Sequence, residues 1–316
     1  MKSYKEIIII TGGLGHIGSS LFKSLESPDK FVIVNDNLMA ERYCSTFKYH
    51  MKDNLEFVFG DIRDKKCIDL ILEKSNSIDY LNASIIHLAA ITDAASSFEK
   101  SDSVKDNNFN GTKAIIELAN LLDANLYFPS STSVYGDNSN LVTETSILHP
   151  QSPYAETKII EEELVSKYSK NLILRLGTIV GPSRGMRFHT AVNSFIWKAL
   201  TKQPIQIWKT AYEQMRPYLC LKDLVSLFKF ALENTSLNHN IYNVLTTNST
   251  PKEITDIIKE YIENTSIEFV DSKIMNQLSY EVSKELIEKE GFKFKSNIHE
   301  GIKETIEFLV DEKYFK

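Results

Sequence analysis

Six short apolar runs recur through the first part of the chain: EIIIIT (6–11), FVIVN (31–35), LEFVFG (55–60), SIIHLAA (84–90), NLYFPSS (125–131) and NLILRLG (171–177). None alternates strictly between apolar and polar positions, so each reads as a strand buried on both faces. The segments between them, HIGSSLFKSLES, CIDLILEKS, FNGTKAIIELANLLDA and YAETKIIEEELVSKYS, repeat apolar residues at intervals of three and four. That spacing predicts helices. Strands alternating with helices over about 175 residues predict an α/β fold, a doubly wound parallel sheet covered by helices on both faces.

After GTIVGP the rhythm breaks. Helical spacing returns in TAVNSFIWKALTK, KDLVSLFKFALEN and TPKEITDIIKEYIEN, with a strand-like IQIW, and the last 50 residues are charged and read as mostly helical. The pattern predicts a first unit over 1–176, to which a segment at about 217–245 returns, and a smaller C-terminal α/β lobe over 177–316. There is no internal repeat, and the EEE at 161–163 reads as the solvated face of a helix.

Composition narrows the partners more than the fold. The 316 residues are 42% hydrophobic and 25% charged with a formal net charge of -6, which leaves no basic footprint for nucleic acid or a membrane surface. Cys44, Cys67 and Cys220 are far apart, without C-x-x-C or a neighbouring histidine cluster, so neither a disulfide framework nor a metal site is signalled. The apolar IIII at 7–10 is far shorter than a signal-peptide core. No other apolar stretch approaches the roughly 18 residues that cross a bilayer. A cytoplasmic protein acting on small molecules is expected.

The first run ends in TGGLGHIG, which fits two glycine spacings: Gly13, Gly15 and Gly18 spell G-x-G-x-x-G, and Gly12, Gly15 and Gly18 spell G-x-x-G-x-x-G. Either one, between a strand and a helix, lets backbone N–H groups approach a pyrophosphate. The candidate cofactor residues here are Gly12, Gly15, His16, Ile17 and Gly18. At the end of the second strand Asp36, followed by Asn37, places a carboxylate where it can accept the ribose hydroxyls of NAD and repel a 2′-phosphate. NAD is therefore favoured over NADP. In GDIRD, Asp61 and Ile62 fall at the same sheet edge, within reach of an adenine.

The ordered series TGGLGHIG, VNDNL, GDIRD, HLAA, NFNGT, SSTSVYG, YAETK, RLGTIVGP and RPYLCLKDL, over positions 11 to 224, resembles the extended short-chain dehydrogenase/reductase family. That branch contains NAD-dependent sugar-nucleotide epimerases, UDP-glucose 4-epimerase among them, and dehydratases. The resemblance implies a Rossmann-type sheet, the G-x-x-G-x-x-G spacing with Gly13 in a variable slot, and bound NAD. It also implies that His87, Leu88, Ala89 and Ala90 form a strand end lining the nicotinamide side, with Asn108 a structural polar residue. Ser131, Tyr154 and Lys158 map onto the catalytic group. A homodimer through helices at about 105–122 and 153–169 is implied too, and a place in polysaccharide biosynthesis.

The chemistry of this trio can be argued directly. Tyr154 and Lys158 are four apart and share a helix face. A tyrosine with its ordinary pKa near 10 is a poor base at neutral pH, but a nearby ammonium and a cationic nicotinamide favour the phenolate. Tyr154 could then take a sugar hydroxyl proton while Ser131 orients the same oxygen.

Dehydratases of the family typically read S-T-D-E-V-Y-G, with acids that expel water, and the related decarboxylases usually keep the glutamate. Here Thr132 and Ser133 fill those slots. Reversible hydride transfer at C4, which needs no acid beyond Tyr154, remains, and a 4-epimerase is the expected activity. One-way oxidation, reduction of a keto sugar, and dinucleotide binding without turnover are the alternatives. On the substrate side Thr178 replaces the family's diphosphate-binding asparagine and Arg216 matches its arginine, a planar guanidinium suited to phosphate. Thr132, Arg187 and Asn193 complete the substrate candidates, with Arg184 a further one.

Overall fold

The computed structural model describes residues 3–47, 49, 52–92, 98, 101–136, 141–234, 237, 241–271 and 279–310. Its strands are β1 (Ser3–Thr11), β2 (Lys30–Asp36), β3 (Leu55–Phe59), β4 (Asp79–His87), β5 (Asn125–Ser131), β6 (Leu141–Val142), β7 (Asn171–Leu176), β8 (Thr178–Val180), β9 (Ile205–Trp208), β10 (Arg216–Cys220), β11 (Ile241–Val244), β12 (Thr247–Ser249), β13 (Ile267–Val270) and β14 (Glu281–Val282). Its helices are α1 (Gly18–Ser24), α2 (Lys65–Asn76), α3 (Ser101–Leu122), α4 (Pro153–Val165), α5 (Ala191–Leu200), α6 (Leu221–Glu233), α7 (Pro251–Tyr261), α8 (Glu285–Lys289) and α9 (Ile298–Leu309).

Seven strands form one parallel sheet in the order β11-β7-β5-β4-β1-β2-β3. The unbroken IIII of β1 is explained by burial from both sides: Ile8 and Ile10 enter one core with Leu21, Phe22 and Phe228, while Ile7 and Ile9 enter the other with Ile115, Leu118 and Phe128. The chain steps outward from β1 to β2 and β3, then returns to lay β4 on the other flank of β1. That reversal opens a crevice at the carboxyl ends of β1 and β4.

Beyond β7, the chain forms a three-stranded sheet (β12-β10-β8) and a pair (β13-β9), packed with α5, α7 and α9 around Ile196, Ile205, Ile254 and Ile302. It re-enters the large sheet at β11, beside β7. No helix among the described residues is long and apolar enough to cross a membrane.

Three expectations need correction. The fourth strand stops at His87, so Leu88–Ala90 form a loop that the strand presents rather than part of the strand. The C-terminal stretch is less helical than its charge pattern suggested: β13 and β14 interrupt it, and α8 has only five residues. After α8 the chain runs without regular structure, and the Lys295 and Ser296 amides are held by the buried Asp223 carboxylate at 2.9 and 3.1 Å.

The third correction concerns EEE. Only Glu163 is exposed; Glu161 and Glu162 face inward, because α4 packs against both α3 and the sheet. Glu162 forms an ion pair with Arg175 of β7 at 2.7 Å and accepts from Ser130 at 2.5 Å. Arg175 also donates to the Tyr135 hydroxyl at 2.9 Å, which donates to Asn243 of β11 at 2.6 Å. One buried polar network thus ties α4, β5, β7 and β11. Glu162→Ala would strand the Arg175 charge in the core, and a loss of about 3 kcal/mol or more is expected in urea unfolding.

Candidate active site

The site begins where β1 ends. Gly12 has φ of +63°, and a Cβ there would lie 2.7 Å from Leu88 C and Ala89 N. The carboxyl ends of β1 and β4 therefore meet backbone to backbone, and only glycine fits between them. Gly18 plays the equivalent part for α1, where a Cβ would come within 2.6 Å of the Gly13 backbone. Gly13 fills what the motif leaves as a variable slot, yet here a Cβ would fall 2.4 Å from a buried Val34 methyl, so this chain constrains it as well.

At the end of β2, Asp36 accepts from Leu14 N at 3.0 Å and Leu38 N at 2.9 Å, which fixes its carboxylate beside the glycine loop with acceptor capacity left over. Asn37 donates to Asp61 at 3.2 Å, and hydrogen bonds from Arg63 lower Asp61 to a pKa of about 2. His16 has a different task from its neighbours: its Nε2 is 2.8 Å from the Gly181 carbonyl, joining the glycine loop to the segment after β8. Burial lowers its pKa to about 4, so it is neutral.

That segment, residues 181–187, crosses over the glycine loop. Gly185 N donates to Ser19 at 3.0 Å, and a Cβ on Gly185 would lie 2.3 Å from the Leu14 carbonyl. From the other side Arg42 donates to the Met186 carbonyl at 2.9 Å and Cys44 to the Arg184 carbonyl at 3.0 Å.

The trio lies across the crevice. Ser131 is the last residue of β5, and α4 is started by the Ser152 cap, whose hydroxyl accepts from Ala155 N, followed by Pro153. Tyr154 is thereby the second residue of the helix and Lys158 stands one turn on; their exposures are 8% and 3%. Burial raises the Tyr154 phenol above its ordinary pKa, opposed by the Lys158 charge; Glu161 adds to the rise, and Arg187 and a hydrogen bond with Ser131 oppose it. Ser131 is itself met by Ser133, hydroxyl to hydroxyl at 2.9 Å.

A cavity of about 390 Å³ runs between these groups. Gly12, Gly15, His16, Ile17 and Gly18 line it, as do Asp36, Asn37, Asp61 and Ile62. So do Leu88, Ala89 and Ala90 opposite Ser131, Tyr154 and Lys158. Of the substrate candidates Thr132, Thr178 and Arg187 reach it, whereas Asn193 and Arg216 are not in its lining. Asn193 is fully buried and donates to the Arg187 carbonyl at 2.8 Å. The Arg216 guanidinium sits 5.6 Å from the ring centre of Tyr280, which does line the cavity and hydrogen-bonds Thr132. Arg184 lies outside the lining, and Asn108 is a brace, gripping the Ile91 backbone through both side-chain atoms. Tyr280, Thr92 and Arg42 are lining residues that no local motif announced.

Residues 8–244 match the model of the NAD dependent epimerase/dehydratase family. The chain belongs to this family. NAD is its cofactor. Among relatives, a trifunctional UDP-glucose 4,6-dehydratase/UDP-4-keto-6-deoxy-D-glucose 3,5-epimerase/UDP-4-keto-L-rhamnose-reductase of Arabidopsis thaliana is 27% identical over 98% of the chain and 48% of its own length. A dTDP-D-glucose 4,6-dehydratase of Dictyostelium discoideum is 32% identical over 75% of the chain and 57% of its own. The chain thus spans about half the length of these two relatives. The crystal structure of a Thermus thermophilus UDP-glucose 4-epimerase complex with NAD aligns at TM-score 0.84 and 23% identity, over 95% of this chain and 98% of that one.

The residues of this epimerase/dehydratase chain fit the dinucleotide: a side-chain-free cradle at Gly12, a fixed carboxylate at Asp36, and a nearby Arg42 that is turned to the Gly185 and Met186 carbonyls. Asp36→Asn keeps the shape and removes the charge. Calorimetric NAD affinity is expected to fall about tenfold, the worth of one charge-assisted hydrogen bond, while NADP binding improves relative to NAD.

Proposed function

We propose that the chain is an NAD-dependent sugar-nucleotide epimerase that inverts C4 of a nucleoside-diphosphate sugar through a transient 4-keto intermediate. The observation that carries this reading is the lack, among the described lining residues, of any carboxylic acid near Tyr154. Of the two acids that line the cavity among the described residues, Asp36 ends β2 and Asp61 follows β3. Expelling water from the sugar requires an acid at the reacting carbons. Thr132, in the slot where dehydratases carry one, has its hydroxyl 3.2 Å from the Leu176 carbonyl, and Ser133 is bonded to Ser131. Neither hydroxyl replaces a carboxyl group.

Ser131 and Tyr154 then share the C4 hydroxyl. Ser131 donates to its oxygen and fixes its direction, while the Tyr154 phenolate accepts its proton as the C–O bond becomes a carbonyl. Lys158, 3% exposed and one turn away, stabilises the phenolate. NAD bound in the cradle at Gly12 and Asp36 would supply the acceptance and return of the C4 hydride. Turning the ketone over in the site presents its other face, Tyr154 returns the proton, and C4 is inverted with no net change in oxidation state. Arg187 and Thr178 are the polar lining groups for the diphosphate or sugar, and Tyr280 closes the wall beside Thr132. α3 and α4 pack side by side and leave Leu121 and Ile160 exposed, and we assign this face to a homodimer.

Proton NMR of the purified protein, without added cofactor, against UDP-glucose, UDP-N-acetylglucosamine, their uronates and GDP-linked sugars tests the reading. The C4 epimer of one of them is expected, with Tyr154→Phe slower by about 10³-fold. Accumulation of reduced nicotinamide with one sugar and no epimer would instead identify a one-way oxidoreductase. Sedimentation analysis is expected to give a dimer that Ile160→Asp converts to monomer.

A further inference from the structure

Glu161 takes no part in this chemistry, yet it is fully buried and three residues from Lys158. A buried carboxylate is costly unless its charge is matched and its oxygens are bonded. Glu161 Oε2 lies 3.2 Å from Lys158 Nζ, and Oε1 accepts from the Thr112 hydroxyl at 2.5 Å. That donation uses the one proton of Thr112, so its oxygen meets His87 Nε2, 3.3 Å away, as an acceptor. Burial lowers His87 to a pKa of about 3, and the neutral ring therefore carries its proton on Nε2. Its Nδ1 accepts from Thr11 Oγ1 at 2.7 Å, and Thr11 Oγ1 accepts from Ala89 N at 3.3 Å. Four hydrogen bonds with a single direction run from the backbone at the cavity wall to Glu161, and they end at the ammonium beside Tyr154.

We propose that Glu161 is a positioning residue that acts through Lys158 to set the pH at which Tyr154 becomes a base. Part of the Lys158 charge is neutralised inside the protein, so Tyr154 holds its proton to higher pH than an unopposed lysine would allow. The inference rests on the reading of Tyr154 as the base. Among the described residues, the charged groups facing Tyr154 are Lys158 and Glu161 from its own helix and Arg187 from the segment after β8; Ser131 approaches from β5, and His87, from β4, is neutral beside Lys158. Of the charged groups, only Glu161 disfavours the phenolate. Because the phenolate is the active form, removing that negative charge moves the onset of activity to lower pH.

The test is a titration of the ultraviolet phenolate band of the NAD-loaded protein, each variant read as a difference from its Tyr154→Phe counterpart. Glu161→Gln is expected to lower the Tyr154 midpoint by about one pH unit, a modest shift for the loss of one neighbouring charge. Thr112→Val, which breaks the hydrogen-bond chain but keeps the carboxylate, is expected to move it much less. If Glu161→Gln folds poorly, Glu161→Met is neutral, similar in length and gives the same reading. A midpoint that stays or rises in the neutral variant overturns the proposal, as does an equal fall in Thr112→Val, which would assign the shift to packing. Activity retained by Tyr154→Phe would overturn the reading of Tyr154 itself, an outcome distinct from an unmoved midpoint in a protein whose Tyr154→Phe variant is inactive.

Discussion

The carboxyl ends of β1 and β4 approach until one backbone touches the other at Gly12. The topological reversal would give a crevice in any doubly wound sheet, but the missing side chain gives this one its depth. Thr11 pairs with His87, and Leu88 N is held by the Thr11 carbonyl at 3.0 Å, so the wall opposite Tyr154 is fixed to the strand that carries the glycine loop. Because β5 is the next neighbour of β4, Ser131 lies across a single strand spacing from that wall. The spacing between the cofactor cradle and the trio is thus a property of sheet register, which rigid packing on both faces holds constant.

α4 shows what such a site asks of the surrounding core. Its inner face carries Lys158, Glu161 and Glu162, three ionisable residues in a place where apolar ones pack more cheaply. Glu162 is answered from β7 and β5 by Arg175 and Ser130, and Glu161 from α3 by Thr112 and along its own helix by Lys158. The helix is therefore positioned by directional bonds to β5, β7 and α3 as well as by hydrophobic contact, and directional bonds fix rotation about the helix axis in a way that apolar burial does not.

The sheet was legible because burial on both faces leaves continuous apolar runs, a signal that needs no partner to interpret. The cofactor side was legible for a related reason: TGGLGHIG, VNDNL and GDIRD are each short contiguous segments, and the strand ends bring them together. The charges of α4 were not legible, since EEE looks the same on a wet surface and in a paired core. The clue lay elsewhere, in an arginine set within the apolar NLILRLG. On the substrate side Tyr280, Thr92 and Arg42 come from separate segments whose meeting is decided by tertiary packing, and no spacing rule joins them. Arg216 was found by its motif, but its place against Tyr280 rather than in the lining depends on a residue 64 positions away in sequence from Arg216, a separation the chain numbering gives directly.

Residues 181–187 lie across the glycine loop, tied at Gly181 to His16 and at Gly185 to Ser19, and held from the far side by Arg42 and Cys44. A Cβ on Gly185 would lie 2.3 Å from the Leu14 carbonyl, so the glycine loop cannot shift without displacing a segment more than 160 positions away in sequence. Any motion of the loop then carries the free energy of opening that crossing. By linkage, any ligand bound more tightly with these bonds formed than broken would stabilise the crossing in return. Order in the glycine loop and order in the segment that crosses it are accordingly one equilibrium seen from two sides.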